Sequence, residues 1–262
     1  MMLKSVSSLQ KKIVKRFTRE DILEFMKNYY VGSNIVISVA GNFNKDEVIS
    51  CIKKSFKDIK KNPVSKRAMH KIETPSYRKV SLRKKKDIEQ LHLNVAFEMP
   101  SFINDIRYEF TLINAILGGD VNSRLFQEIR EKYGLTYNIC SYRSAFSDTG
   151  LFHIYAALNI NQENKVLELL QGIISDLVEN GITDKELDNA KKQVIAEMTL
   201  NRDNTVVLMS TNANALMFQK RTYTFKQTIK SIESVTVESV NACIREYFKL
   251  ENMSIAVAGN IN

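Results

Sequence analysis

The sequence predicts an α+β fold, a two-layer sandwich in which helices pack on one face of a mixed β-sheet. Three observations predict it. Strand-like and helix-like segments come in blocks: two strands, helices, two strands, helices, then one helix and one strand. Residues 90–99 alternate Leu91, Leu93, Val95 and Phe97 with His92, Asn94, Ala96 and Glu98, the period of a strand with one covered face. Residues 17–44 recur as residues 235–262, each copy reading as a helix followed by a strand.

Taken in order, the first seventeen residues, MMLKSVSSLQKKIVKRF, are basic, Ser-containing and free of acids. That composition suits either an organellar transit peptide or a basic lead-in to the first helix. Thr18 is placed to cap an amphipathic helix that ends in Tyr29 and Tyr30, and a turn carrying Asn34 leads to a buried strand closed by Gly41. Residues 45–58 place Val48, Ile49, Ile52 and Phe56 on one face of a second helix. A polar stretch, 60–76, with Pro63, Pro75 and several lysines, reads as a linker.

Strands are expected at 77–84 and 90–99, with Lys84, Lys85 and Lys86 forming a hairpin turn between them. Helices at 105–117 and 122–133 are separated by Gly118 and Gly119, a pair that reads as a helix C-cap and turn. Antiparallel strands at 136–145 and 149–158 are joined at Ser147-Asp148-Thr149-Gly150. Helices follow at 163–179, 184–202 and 204–219, the middle one opened by a Thr183–Glu186 capping box.

The repeat bears on domain organisation. Ten of 28 positions match without a gap, including Thr18 with Thr236, Tyr29 with Tyr247, Asn34 with Asn252, and Val39-Ala40-Gly41-Asn42 with Val257-Ala258-Gly259-Asn260. The offset is 218 residues. The expectation is therefore one unit that repeats at this length: residues 1–59 as the tail of a truncated first unit, 60–76 as linker, and 77–262 as the second unit. Convergence of two unrelated helix–strand pieces is the alternative.

Composition narrows the function classes. With 44% hydrophobic and 26% charged residues the balance is that of a globular chain rather than a disordered one. The net charge of +9 is spread among acidic residues, which suits a solvated surface better than a nucleic-acid-binding patch. Cys51, Cys140 and Cys243 are odd in number and far apart, suggesting neither a disulfide framework nor a cysteine metal site, and they fit a reducing compartment. No membrane span is expected from the hydropathy pattern. The expected location is cytoplasmic, or an organellar matrix if the basic start is a transit peptide. No Gly-rich phosphate loop or GxSxG elbow is present.

The stretch ILGGDVNSRLFQEIREKYGLTYNICSY, residues 116–142, resembles the signature region of the second, zinc-free domain of M16 metallopeptidases, the processing-peptidase and pitrilysin group. The resemblance extends to FTREDILEFMKNYY, NIVISVAGNF, the Pro-bearing linker and the long helices after residue 163. It implies paired units closing like a clamshell on a peptide, with zinc held by an H-x-x-E-H helix in the other unit. This chain has only His70, His92 and His153, no two within five residues, so no cofactor is expected here and zinc is expected on a complementary unit. The resemblance further implies that Arg130 and Tyr137, in REKYGLTY, contact substrate carbonyls and the developing oxyanion, neither acting as a metal ligand. Without it, Arg130 reads as a helix C-terminal charge and Tyr137 as a strand aromatic.

By the same resemblance, Gly118 and Gly119 correspond to a glycine-rich loop that engages peptides, here short, and Ser123 reads as an N-cap. The function implied is a substrate-binding half of a zinc endopeptidase, inactive alone and partnered by an H-x-x-E-H unit on a separate chain or upstream. A noncatalytic scaffold of the same fold, or a truncated remnant, is the alternative. Apolar faces left unpaired predict self-association.

Overall fold

The computed structural model describes residues 16–59 and 76–261. The 60–76 linker, His70 and most of the basic N-terminal stretch lie outside those residues, apart from Ser76 and the last two residues of that stretch. Two units are formed: one from the described parts of Met1–Pro75 with Arg202–Thr222, the other from Ser76–Asn201 with Tyr223–Asn262.

In the second unit, alternation along β2 (Leu91–Met99) buries Leu91, Leu93, Val95, Phe97 and Met99 and turns His92, Asn94, Ala96 and Glu98 to the other face. Four further strands complete a mixed sheet: β1 (Ser81–Lys85), β3 (Thr136–Ala145), β4 (Gly150–Leu158) and β5 (Ser254–Gly259), in the order β1-β5-β2-β4-β3. Only β1 with β5 is parallel. The Lys84–Lys86 segment is therefore no hairpin turn. β5, from the far end of the chain, lies between β1 and β2 and pairs with both. A strand's neighbours are set by long-range burial, and two strands close in sequence need not pair.

Helices cover the face that carries the odd-numbered residues of β2. They are α3 (Arg107–Asn114), which runs on into a π-helical turn (Ala115–Gly119), α4 (Phe126–Lys132), also wound as a π-helix, α5 (Glu163–Asn180), α6 (Asp184–Leu200), α8 (Phe225–Glu233) and α9 (Val237–Tyr247). Their apolar stripes meet the sheet around a cluster of buried phenylalanines. Phe248 sits 5.1 Å from Phe97, 6.2 Å from Phe110 and 5.0 Å from Phe152, ring centre to ring centre. A bidentate pair from Arg83 on β1 to Glu163 at the start of α5, at 2.6 and 2.9 Å, ties the sheet edge to the helical layer. The capping box at Thr183 and Glu186 forms as its sequence requires. α8 was not anticipated, although Thr224 and Gln227 form the same reciprocal cap.

The first unit holds α1 (Arg19–Tyr29), α2 (Lys45–Ser55) and α7 (Thr205–Gln219). The strand anticipated before Gly41 is not formed among the described residues: residues 35–40 belong to no strand, and Ile37 and Val39 are exposed rather than buried. A strand needs a neighbour to take its backbone hydrogen bonds.

Candidate functional site

Arg130 and Tyr137 flank one turn. Helix α4 closes on Gly134, whose amide donates to Arg130 O at 3.0 Å, while Leu135 N donates to Ile129 O at 3.1 Å. Gly134 has φ +61°, a left-handed geometry that costs any residue with a Cβ. The chain reverses there, so α4 ends and β3 begins within three residues, bringing the end of the helix and the start of the strand to one corner.

Arg130 is exposed, and its guanidinium lies over the Phe126 ring one turn earlier, 4.7 Å from the ring centre. No hydrogen bond or ion pair engages it among the described residues. Arg130 lies in the last turn of α4, where a positive charge suits the helix end, and its side chain is held by an aromatic face with its donors free. Tyr137 is 79% exposed, at an irregularity of β3 where the register to β4 shifts between Thr136 and Asn138. That bulge takes Tyr137 out of the regular alternation. Both residues present unspent donors from a rigid corner.

The frame beneath is tightly bonded. Arg124, half-buried at the entry to α4, grips both Glu186 oxygens at 2.7 and 3.0 Å, Asp176 at 3.0 Å and the carbonyl of Gly181 at 2.9 Å. Burial disfavours the Glu186 charge, but the Arg124 guanidinium and the Thr183 donors outweigh it and hold the carboxyl below its ordinary value. Ser123 is buried with its hydroxyl turned back onto Asp120 O at 2.6 Å, so it donates to the preceding loop instead of capping the helix.

Neither Gly118 nor Gly119 has the positive φ of a left-handed C-cap. Gly118 is required by close approach: a Cβ there would lie 2.6 Å from Ser141 N and 2.8 Å from Ser141 Oγ. Ser141 in turn donates to Asn114 Oδ1 at 2.9 Å, locking β3 to the end of α3. Gly118 therefore seats β3, while Gly119 lies against Asn114 of α3. The sequence reading did not single out Gly134, Phe126 or Arg124 as site-building residues, though a glycine just past a helical pattern signals the first of them.

The open face of the sheet carries the two described histidines. His92 Nδ1 is 2.6 Å from the Tyr155 hydroxyl, and His153 Nδ1 is 3.1 Å from Asn94 Oδ1 with Tyr142 stacked on its ring. Burial lowers the His153 pKa, favouring the neutral imidazole. Among the described residues no three His, Cys, Asp or Glu side chains come together as metal ligands. The donors of the described residues do not fit a catalytic zinc. No helix of the described residues is long and apolar enough to cross a membrane.

Comparison with known proteins places this geometry. The family model described as Peptidase M16 inactive domain matches residues 16–194. The chain belongs to the M16 peptidase family, as its zinc-free domain. Uncharacterized zinc protease YmxG of Bacillus subtilis is 32% identical over 232 residues, covering 88% of this chain and 56% of that protein. A Rickettsia felis zinc protease is 34% identical over 190 residues, covering 72% and 45%. The chain thus spans about half the length of these relatives. Among solved structures, a peptidase M16 inactive domain from Pseudomonas fluorescens superposes with a TM-score of 0.85 at 24% identity, covering 96% of this chain and 60% of that one. Complex III2 from Candida albicans contains a chain with a TM-score of 0.85 at 18% identity, covering 97% and 61%. At those identities the two structures speak to the fold.

Proposed function

We propose that this chain is the substrate-contacting half of an M16-type zinc endopeptidase, inactive alone and completed by a zinc-motif unit in cis or in trans. The observation that supports it is the Gly134 corner, on whose two sides Arg130 and Tyr137 lie exposed and without side-chain hydrogen bonds among the described residues, above a frame held by Arg124 and Gly118. A guanidinium donates to peptide carbonyls without losing its charge, and a phenol can donate to an oxyanion. The partner would supply the metal and its activated water; Arg130 and Tyr137 would align the peptide and stabilise the developing charge. The rigid seat matters because misplacing a donor by about 1 Å can cost on the order of a hundredfold in rate.

A scaffold role is the second reading, favoured by the lack of a metal-ligand cluster among the described residues. A scaffold has no use for two unspent donors on one corner. The test is hydrolysis of a quenched fluorescent peptide mixture by this chain, alone and with a zinc-motif M16 unit from the same source. Activity is expected only in the mixture, with Arg130→Ala and Tyr137→Phe each lowering kcat/KM about 100- to 1000-fold, the range for removing one transition-state donor. Chelator-sensitive hydrolysis by the chain alone would overturn the zinc-free assignment, and inactivity of every mixture would favour the scaffold.

A further inference from the structure

α4 carries two side-chain pairs at the same spacing, built from opposite materials. Glu128 and Lys132, four residues apart, form an ordinary helix-surface ion pair, Nζ donating to Oε1 at 2.7 Å. Phe126 and Arg130 are also four apart. One turn before the arginine, where a carboxylate would make the same kind of bridge, stands a phenyl ring, and the guanidinium lies over it at 4.7 Å from the ring centre.

The difference decides what each cation can still do. A carboxylate accepts N–H groups and so consumes them as donors. The face of an aromatic ring attracts the cation as a whole and leaves the five N–H groups, which lie in the guanidinium plane, free to donate elsewhere. Arg130 is accordingly held in place while making no side-chain hydrogen bond or ion pair among the described residues. Packing leaves the ring available for this. Leu125 and Ile129, its neighbours on α4, are fully enclosed in the core. Phe126 is half-buried, and it belongs neither to that core nor to the part-buried apolar residues packed against it.

We infer that Phe126 is a positioning residue: its ring sets the orientation of the Arg130 guanidinium before a peptide arrives. A long, exposed arginine otherwise samples many rotamers, and ordering it at the moment of reaction costs rate. The inference rests on the function proposed above and adds to it the residue that aims the arginine. Phe126 itself need touch neither peptide nor metal.

Two readouts test it, one of them independent of hydrolysis. In the isolated chain the Arg130 Nε–H proton, assigned by its loss in Arg130→Lys, is expected upfield of the signals of exposed arginines, because the group lies over a ring face. Phe126→Leu should return it to their position. In the mixture with the zinc-motif unit, Phe126→Leu should lower kcat/KM at least about tenfold, short of the roughly hundredfold that a misplaced group can cost. The loss should divide between kcat and KM in the same proportion as that of Arg130→Ala, the signature of a residue acting only through the arginine. Phe126→Tyr should recover activity to within about threefold, since a phenol keeps the ring face. Phe126→Glu should stay as low as Phe126→Leu, because its carboxylate orders Arg130 by taking its donors. In an Arg130→Ala background, Phe126→Leu should change kcat/KM by less than about twofold, whereas a merely structural role, or a direct contact of Phe126 with peptide or partner, would add its full loss.

An Arg130 signal indifferent to Phe126→Leu, a Phe126→Leu loss that persists in the Arg130→Ala background, or full activity of Phe126→Glu would each overturn the inference and leave the proposed function standing. Inactivity of every mixture would overturn the proposed function and this role with it.

Discussion

Two residues beside the corner make opposite use of burial. Thr136, one position before Tyr137, is buried and its hydroxyl finds no hydrogen-bond partner. A buried, unpaired hydroxyl has lost water and gained nothing, so Thr136→Val, of nearly the same shape, is expected to stabilise the chain by about 1 kcal/mol. The check is the urea midpoint at constant slope. Gly134 is the converse case: nothing crowds a Cβ there, but φ +61° strains one. Gly134→Ala should cost about 1–2 kcal/mol from backbone strain alone. It should also lower hydrolysis in the reconstituted pair beyond what the stability loss explains, because it reorients Tyr137 relative to Arg130. An asparagine at 134, which tolerates the left-handed region, should recover most of both.

At the scale of elements, the seat of α4 rests on charge. Arg124 reaches from α4 to the α5–α6 connection, and the carboxyl of Glu186 is held below its ordinary value of 4.5 by that pairing despite burial. A depressed folded pKa means the contribution is complete above 4.5 and is lost as pH falls through the lower, folded value. Arg124→Gln is thus expected to cost about 2 kcal/mol near neutrality, from lost charge-assisted hydrogen bonds, and to flatten the fall in urea midpoint below pH 4.5. Equal acid sensitivity in both proteins would place the linkage elsewhere. Elements of this kind were unequally legible. The threonine caps at Thr18 and Thr236, the capping box at Thr183, the alternation of β2 and the aromatic ends of α1 and α9 are local patterns, and the structure has them. The insertion of β5 between β1 and β2 is not local, since only the shared core decides which strand neighbours which. The Arg130 and Tyr137 pair was named only through the family resemblance that REKYGLTY carries, and the ring under Arg130 and the clasp of Arg124 depend on how α4 packs and winds.

For the whole molecule, the internal repeat separates what a sequence specifies from what its surroundings add. Tyr30 and Phe248 follow helices of the same length with the same cap, so their intrinsic contributions to local structure are alike. Phe248 is fully enclosed by Phe97, Phe110 and Phe152, whereas Tyr30 is 55% exposed. Phe248→Ala should therefore cost about 3–5 kcal/mol, the lost transfer energy plus an unfilled cavity. Tyr30→Ala in the isolated chain should lie within about 0.5 kcal/mol of wild type, as for a surface change. Urea unfolding followed by circular dichroism checks both, the chain having no tryptophan to report fluorescence. A Tyr30→Ala cost that is already large in the isolated chain would mean the first copy carries a core of its own.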